Sequence, residues 1–230
     1  MCIYTVYRLV KKEVDNRSLN SYMTPKLEIS LFDNTTFKLQ LPLLRRNIGV
    51  LVSGGLDSAL LYYIAKSLEM QDDRYKVMPY TLERADSSKR HAQPVIDYVH
   101  GKLNIDRLAT RYIPILQTDS NAQVTEGISK LLTEKLSLVY VGIITTLPEH
   151  ALHGVGSPYF PADYELVNYP LKHLTKDHVV DMIIKLGIDE LFELTHSCVH
   201  DTVGRCNKCN RCNERAWAFT QLGLIDPGTK

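Results

Sequence analysis

In the middle of the chain, short continuous apolar runs typical of buried strands alternate with segments whose apolar residues have helical spacing. The continuous apolar run at 48–52 predicts a buried parallel strand. Leu60, Ile64 and Leu68 follow at helical spacing. Similar patterns predict strands at 76–82, 110–116 and 138–145 and helices at 89–101 and 121–136. This alternation predicts an α/β fold with a doubly wound parallel sheet.

The residues before this middle part have a different pattern. Strand-like segments at 27–31 and 36–41 flank Asp33-Asn34, a sequence suited to a hairpin turn. Residues 2–10 also alternate loosely. We therefore expect an N-terminal β appendage over residues 1–46.

The C-terminal part begins with a long segment, residues 146–170, that is rich in proline and glycine and is predicted to be a loop. Thr175 is expected to cap the next helix, and Gly187 to end it. A short helix is predicted at 214–222. The expected domains are an α/β domain over 47–195 and a separate C-terminal segment over 196–230.

Composition narrows the classes of function. The chain has 230 residues, of which 44% are hydrophobic and 23% charged, as in soluble globular proteins. A net charge of +1 gives no general attraction to nucleic acid or to an anionic membrane, so we expect neither as a direct partner. The sequence shows no signal peptide and no apolar run of membrane-spanning length, which makes the cytoplasm the expected location.

A glycine-rich turn joins the first buried strand to its helix and reads Ser-Gly-Gly-Leu-Asp-Ser over residues 53–58. Glycines allow close approach to a ligand, and the amides at the following helix N-terminus favour an anion. A carboxylate at Asp57 would hold Mg²⁺ or orient the loop. The alternative is a tight turn with no ligand. The expected phosphate-binding residues are Val52, Ser53, Gly54, Gly55, Leu56, Asp57 and Ser58.

Four of the five cysteines lie close together near the C-terminus: Cys198, Cys206, Cys209 and Cys212. Their spacing, C-x7-C-x2-C-x2-C, suits four thiolates around one structural Zn²⁺. An iron–sulfur cluster also uses four thiolates, so it stays an alternative. A histidine, His196 or His200, could replace one sulfur.

The glycine-rich turn resembles the PP-loop of the ATP pyrophosphatase superfamily. The chain also carries Pro170-Leu171 followed by Lys176 at P-L-x4-K spacing, and then the cysteine cluster. Together these motifs resemble the 7-cyano-7-deazaguanine synthase family over residues 47–228. The resemblance implies a nucleotide-binding α/β fold with a C-terminal zinc knuckle made of four cysteines.

The resemblance also implies a reaction: ATP and Mg²⁺ would adenylate 7-carboxy-7-deazaguanine, and ammonia would convert it to the amide or the nitrile. Asp57 and Lys176 would be catalytic, with Lys176 neutralising phosphate or transition-state charge. The alternative for Lys176 is an exposed lysine in the first helical turn. Homodimers are common in the family.

Two segments, at 79–91 and 113–118, differ from the sequences usual in the family. Of the family's motif in the first segment, only Arg90-His91 is present. In the family these segments shape the acid pocket, so another acid substrate is an open alternative. Three other functions are also alternatives: a tRNA-modifying thiolase, a ligase acting on a protein or peptide, and a non-catalytic module binding ATP and zinc. A thiolase would need catalytic cysteines besides the cluster, and only Cys2 is available.

Overall fold

The computed structural model describes residues 23–83, 88–106, 109–117, 120–150, 165–198, 200 and 204–229. The strand-like residues 2–10 lie outside this part of the chain. The strands are β1 (Lys26–Ser30), β2 (Thr36–Gln40), β3 (Asn47–Leu51), β4 (Lys76–Glu83), β5 (Arg111–Pro114), β6 (Leu138–Val141) and β7 (Val167–Asn168). The helices are α1 (Leu56–Glu69), α2 (Ser88–Leu103), α3 (Ser120–Leu131), α4 (Lys176–Leu186), α5 (Leu191–Leu194) and α6 (Asn210–Gln221). Single 3₁₀ turns lie at Pro148–His150 and Pro227–Thr229.

Five strands form the central sheet in the order β5-β4-β3-β6-β7, and every neighbouring pair is parallel. Side chains alternate between two apolar layers. Ile48 and Val50 of β3 pack with α1, α2 and α4, whereas Leu51 packs with Ile128 and Leu131 of α3 on the other face. Helices thus cover both faces, which confirms the predicted doubly wound α/β fold.

The N-terminal hairpin is part of the main hydrophobic core. Strands β1 and β2 pair antiparallel, and Phe37 and Leu39 are buried in the same cluster as β3 and α1. The hairpin turn also contacts α4, because the Phe32 amide donates to Asp181 Oδ2 at 2.9 Å. The predicted β appendage is therefore present as a hairpin that shares its apolar face with the α/β part.

Several elements differ from their predicted bounds. Helix α2 extends past Gly101 and contains Pro94, whose missing N–H removes only one helical bond. Helix α3 ends five residues before the predicted Leu136, which instead fills the space beside Gly49 of β3. Strand β6 is shorter than predicted because Gly142 leaves the sheet to pack on the start of α1. The predicted loop at 146–170 also includes the edge strand β7, and α5 was not predicted.

The remaining helices agree more closely with the prediction. Thr175 precedes α4 in an extended conformation, and Gly187 ends that helix with a left-handed backbone. Helix α6 begins four residues before the predicted Glu214, directly after Cys209. Within the part of the chain that the structure describes, no helix is long and apolar enough to cross a membrane.

The shared core predicts unequal costs for two leucines that follow β2. Leu41 is fully buried, whereas Leu44 is 86% exposed. Leu41→Ala should lower the free energy of unfolding by about 2–5 kcal/mol. Leu44→Ala should change it by less than about 0.5 kcal/mol. Urea unfolding followed by circular dichroism measures both, and equal small effects would show that the hairpin does not stabilise the fold.

Candidate functional site

The glycine-rich turn lies at the carboxyl end of β3, where open α/β sheets bind ligands. Gly54 has a left-handed backbone (φ +83°) that turns the chain from the strand toward α1. The first helical hydrogen bond runs from the Ala59 amide to the Gly55 carbonyl. The amides of Leu56, Asp57 and Ser58 precede it and have no acceptor within the helix. The turn therefore offers clustered donors suited to an anion.

Two serines brace the inside of this turn. The Ser53 amide donates to Ser58 Oγ at 3.1 Å, and the two hydroxyl oxygens are also 3.1 Å apart. Ser58 Oγ in turn donates to the Gly55 carbonyl at 3.1 Å. Val52 is held to β4 through Tyr80 and Thr81, and the side chains of Val52 and Leu56 are buried in the core. These two predicted residues thus anchor the turn on both sides.

The backbone at Gly54 is in close contact with α2. A Cβ atom added at Gly54 would lie 2.4 Å from the His91 carbonyl carbon and 2.5 Å from its Cβ. Gly142, just after β6, approaches the α1 backbone in the same way, with an added Cβ at 3.0 Å from Ser58 N. A Cβ at Gly54 would clash with the α2 backbone, and one at Gly142 would push the two backbones apart by a few tenths of an ångström, so these glycines set how closely the turn packs on its neighbours.

Two histidines meet beside Gly54. The His196 amide donates to the Gly54 carbonyl at 2.9 Å, and the His196 ring stacks on His91 with centroids 3.9 Å apart and planes 3° apart. Burial, together with the adjacent His91, lowers the pKa of His196 below its ordinary value. The segment before Cys198 is thus joined directly to the glycine-rich turn.

Asp57 and Lys176 form a buried ion pair at this turn. Lys176 Nζ donates to both Asp57 carboxylate oxygens at 2.6 Å. The Lys176 side chain is 5% exposed and that of Asp57 20% exposed. Lys176 is therefore not an exposed first-turn lysine. The two residues predicted to be catalytic lie in contact although 119 positions separate them in sequence.

The start of α4 places Lys176 at the turn. Lys176 is the first helical residue, directly after Thr175. The Thr175 amide donates to His178 Nδ1 at 3.1 Å, and His178 Nε2 lies 3.1 Å from Asp33 Oδ2 in the hairpin turn. Hydrogen bonds from the Thr35 amide and from His178 lower the pKa of Asp33 to about 2. The hairpin and the helix thus fix the entry to α4 together.

Glu214 of α6 is a second acidic group near Lys176, and sequence reasoning did not identify it. Its Oε2 is 4.0 Å from Lys176 Nζ and 3.3 Å from Arg211 Nη1. Arg211 Nη1 also contacts Thr146 Oγ1 at 3.3 Å. The only sequence signal for Glu214 is its place in the helix that follows Cys212, one turn after Arg211.

The four cysteines predicted to bind metal come together. Among the described residues, the sulfur atoms of Cys198, Cys206, Cys209 and Cys212 form one candidate metal-binding group, all within 4.8 Å of one another. A tetrahedral ion with Zn–S bonds of about 2.3 Å places its sulfurs about 3.8 Å apart, so this donor set fits one ion. His200 contributes its amide to Cys198 Sγ at 3.4 Å, and the His196 ring is stacked on His91.

Backbone geometry prepares this cluster. Asn207 and Gly204 both have left-handed backbones, which fold the segment tightly. The amides of Lys208 and Cys209 donate to Cys206 Sγ, and they lower the pKa of this thiol to about 6. Burial instead raises the pKa of the Cys212 thiol to about 12. A bound metal ion would hold all four as thiolates.

A buried arginine pair connects the cluster to the rest of the C-terminal part. Arg215 donates to Asp226 Oδ2 at 2.8 Å and to Thr195 Oγ1 at 2.8 Å. Arg205, next to Cys206, contacts the same Asp226 carboxylate. Although burial opposes it, hydrogen bonding from Arg215 and the charges of both arginines hold the pKa of Asp226 below its usual value. The cysteine loop is thereby fixed against α5 and α6.

Comparison with known families supports the resemblance inferred from the sequence motifs. The model of the family described as "Queuosine biosynthesis protein QueC" matches residues 161–223. This range includes Lys176, α4 and all four cysteines, but not residues 53–58. The resemblance to that family, which is the 7-cyano-7-deazaguanine synthase family, is thus confirmed over the C-terminal part. No curated protein matches the chain.

The solved structures to which the chain is similar include those of three enzymes. NMN synthetase from Francisella tularensis aligns with 14% identity over 81% of this chain and 81% of that chain, with a TM-score of 0.48. The U34-tRNA thiolase NcsA from Methanococcus maripaludis, with its [4Fe-4S] cluster, aligns with 13% identity over 81% and 70%, with a TM-score of 0.46. NAD⁺ synthetase from Burkholderia pseudomallei aligns with 14% identity over 62% and 60%, with a TM-score of 0.41. These identities are too low to transfer a substrate.

The contact at Gly54 predicts a specific loss of anion binding. Gly54→Ala places a Cβ against the His91 backbone at positive φ, and we expect it to destabilise the protein by about 1–3 kcal/mol. Affinity for inorganic pyrophosphate, measured by isothermal titration calorimetry, should fall at least about tenfold, because the amides no longer converge. Gly101→Ala, with no atom within 4 Å, is the control and should bind like the wild type. Unchanged affinity in Gly54→Ala would contradict the assignment of the glycine-rich turn as an anion-binding site.

The cysteine geometry predicts that metal and stability are linked. Cys209→Ser removes one sulfur of four, and purified protein should lose most of the metal that the wild type binds, as measured by mass spectrometry. Its melting temperature should fall by more than about 5 °C, because each kcal/mol lost lowers it by roughly 2–4 °C. Cys2→Ser, which changes the one cysteine far from the other four in sequence, is the control and should keep both metal and stability. A structural metal site would be contradicted if the purified wild type contained no metal and had the same melting temperature with and without a chelator.

Proposed function

We propose that this protein is an ATP-dependent ligase that adenylates a carboxylic acid and passes the activated acyl group to ammonia. The observation that carries the proposal is the Asp57–Lys176 ion pair at the mouth of the glycine-rich turn. It places a buried cation and a carboxylate beside amides that have no helical acceptor. An anion cradle alone would suit many ligands, but this combination suits a polyphosphate that must also be cleaved.

The residues present fit ATP with Mg²⁺. Amides at 56–58 would bind phosphate oxygens, and the Ser53 hydroxyl would add a donor, whereas the Ser58 hydroxyl donates to the Gly55 carbonyl and supports the turn. The Asp57 carboxylate suits a hard divalent cation that also binds phosphate, and the cation would neutralise phosphate charge. Lys176 would then neutralise the charge that builds up on the departing pyrophosphate.

The proposed reaction needs no covalent nucleophile from the protein. A carboxylate oxygen of the acid attacks the α-phosphorus of ATP, and the bond to pyrophosphate breaks. Ammonia then attacks the acyl carbon, AMP departs with the carbon–oxygen bonding electrons, and a proton passes to solvent, which leaves an amide. The chain contributes position and charge, which supply most of the rate in such transfers.

We propose 7-carboxy-7-deazaguanine as the acid, on the basis of the family match over residues 161–223. A second ATP would adenylate the amide oxygen. Loss of AMP and of the remaining nitrogen-bound protons would then give the nitrile, 7-cyano-7-deazaguanine, a precursor for queuosine-type modification of nucleic acid. The altered segments at 79–91 and 113–118 make the acid the part of the proposal that most needs a direct test.

We further propose that the cysteine cluster holds a structural Zn²⁺. Four thiolates on one ion lie closer together than four thiolates that each bind a different iron of a cluster, and sulfurs within 4.8 Å of one another favour the single ion. Four protein ligands leave no open position for substrate. The ion would order the segment from Cys198 to α6, which lies against the glycine-rich turn through His196.

The decisive experiment compares the wild type with Asp57→Asn. Each protein is incubated with ATP, Mg²⁺, ammonia and a panel of carboxylic acids that includes 7-carboxy-7-deazaguanine. Pyrophosphate release and product mass are recorded. The wild type should release pyrophosphate and yield a mass-shifted base with that acid, and Asp57→Asn should lose at least about a thousandfold in rate, because one charge at the reacting phosphates is gone. Circular dichroism should show a folded variant.

The matched control is Asp72→Asn, which removes the charge of a paired carboxylate between α1 and β4, just before the amino end of β4 and thus at the other end of the strands from the glycine-rich turn. It should keep wild-type activity. Pyrophosphate release with a different acid only would replace the proposed substrate and keep the ligase. ATP binding without pyrophosphate release for any acid would contradict the ligase and indicate a non-catalytic nucleotide-binding module.

A further inference from the structure

Glu214 is an unusual residue to find inside this protein. Its side chain is 2% exposed, and its Oε1 atom is buried and has no hydrogen-bond partner among the described residues. A buried carboxylate oxygen without a hydrogen bond lowers stability, because it has lost its contact with water and gained no partner. A buried carboxylate with this cost needs a reason beyond packing, because an apolar side chain would fill the same space.

The charges around Glu214 indicate what that reason is. Four charged groups meet here: Asp57, Lys176, Glu214 and Arg211. Lys176 faces both acids, with Asp57 at 2.6 Å and Glu214 at 4.0 Å. The close pair joins Lys176 to the glycine-rich turn, and the longer contact joins it to α6. The lysine thus has a second anion near it, at a longer distance than the first.

We propose that Glu214 is a positioning residue for Lys176, and this inference rests on the proposed function. If Asp57 binds Mg²⁺ as proposed above, its contact with the lysine would weaken, and the Lys176 ammonium would need another anion inside the protein. Glu214, whose Oε2 lies 4.0 Å from Lys176 Nζ, supplies that anion. It would hold Lys176 beside the glycine-rich turn, within reach of the departing pyrophosphate.

The position of Glu214 is itself well fixed. Cys212 lies two residues earlier in the first turn of α6, and Arg215, the next residue, is fully buried against Asp226. Arg211, one turn before, contacts Glu214 Oε2 and Thr146. The position of the carboxylate is therefore set by its neighbours in α6 and not by Lys176 alone. This is the arrangement expected of a residue that positions another.

The test compares Glu214→Gln with the wild type. The amide has nearly the same shape but no charge. We expect kcat to fall about tenfold or more while KM for ATP changes less than about threefold, because the lysine is misplaced mainly in the transition state. In protein labelled with ¹³C-lysine, the Lys176 Cε signal, assigned through Lys176→Met, should shift without any ligand present. A purely structural role would lower the melting temperature and move neither kcat nor this signal.

The matched control is Glu69→Gln at the far end of α1, where Glu69 pairs with the buried Lys66 at 2.5 Å. It makes the same chemical change in another buried lysine–glutamate pair and should leave kcat and the Lys176 signal unchanged. An unmoved Lys176 signal in Glu214→Gln, or unchanged kcat in an active enzyme, overturns the inference. If the wild type proves inactive, the proposed function fails, and the lysine signal still decides whether Glu214 positions Lys176.

If Glu214→Gln does not fold, Glu214→Asp tests whether Glu214 positions Lys176. It keeps the charge but withdraws it by one methylene, so the effect on kcat and on the Lys176 signal should be intermediate, with the same sign. A folded Glu214→Asp protein with a wild-type signal and wild-type kcat would overturn the inference in the same way.

Discussion

A buried ammonium group must keep an anionic partner, and in this protein Lys176 finds it in Asp57. The requirement joins the first βα turn to the start of α4, two places far apart in the chain. The approach is possible because Gly54 and Gly142 let backbones from α2 and β6 close around the turn. The site is therefore built from both ends of the α/β part, and the ion pair is where they meet.

Elements with a strong local signal could be predicted from the sequence. The buried strand at 48–52, the helix after it and the capped helix at Thr175 follow from periodicity and from cap residues, which act within a few positions. Edge strand β7 and the four-residue helix α5 could not be predicted in this way. Two residues are too few to show a period, and such elements form only because a neighbour is already there.

In the candidate site, too, the features set by local sequence could be predicted, and those set by distant contacts could not. The cysteine cluster could be predicted from spacing alone, because C-x2-C steps fix the positions of the sulfur atoms locally. In the structure the four sulfur atoms lie close enough to bind one ion. The contact between Asp57 and Lys176 depends on how α4 returns to the sheet, which no local pattern contains. Glu214 was missed for a further reason: a glutamate in a helix is ordinarily exposed, and only the packing of α6 against α4 reveals that this one is buried.

The hairpin of β1 and β2 has a consequence for how the polypeptide can be divided. Its apolar face lies in the same cluster as β3 and α1, and its turn is tied to Asp181 and His178 in α4. A proteolytic cut in the 42–46 linker would leave neither fragment with a complete interior. Shortened versions for crystallisation or for fusion to other proteins should therefore keep residues 26–41, since without them the entry to α4 would lose its support.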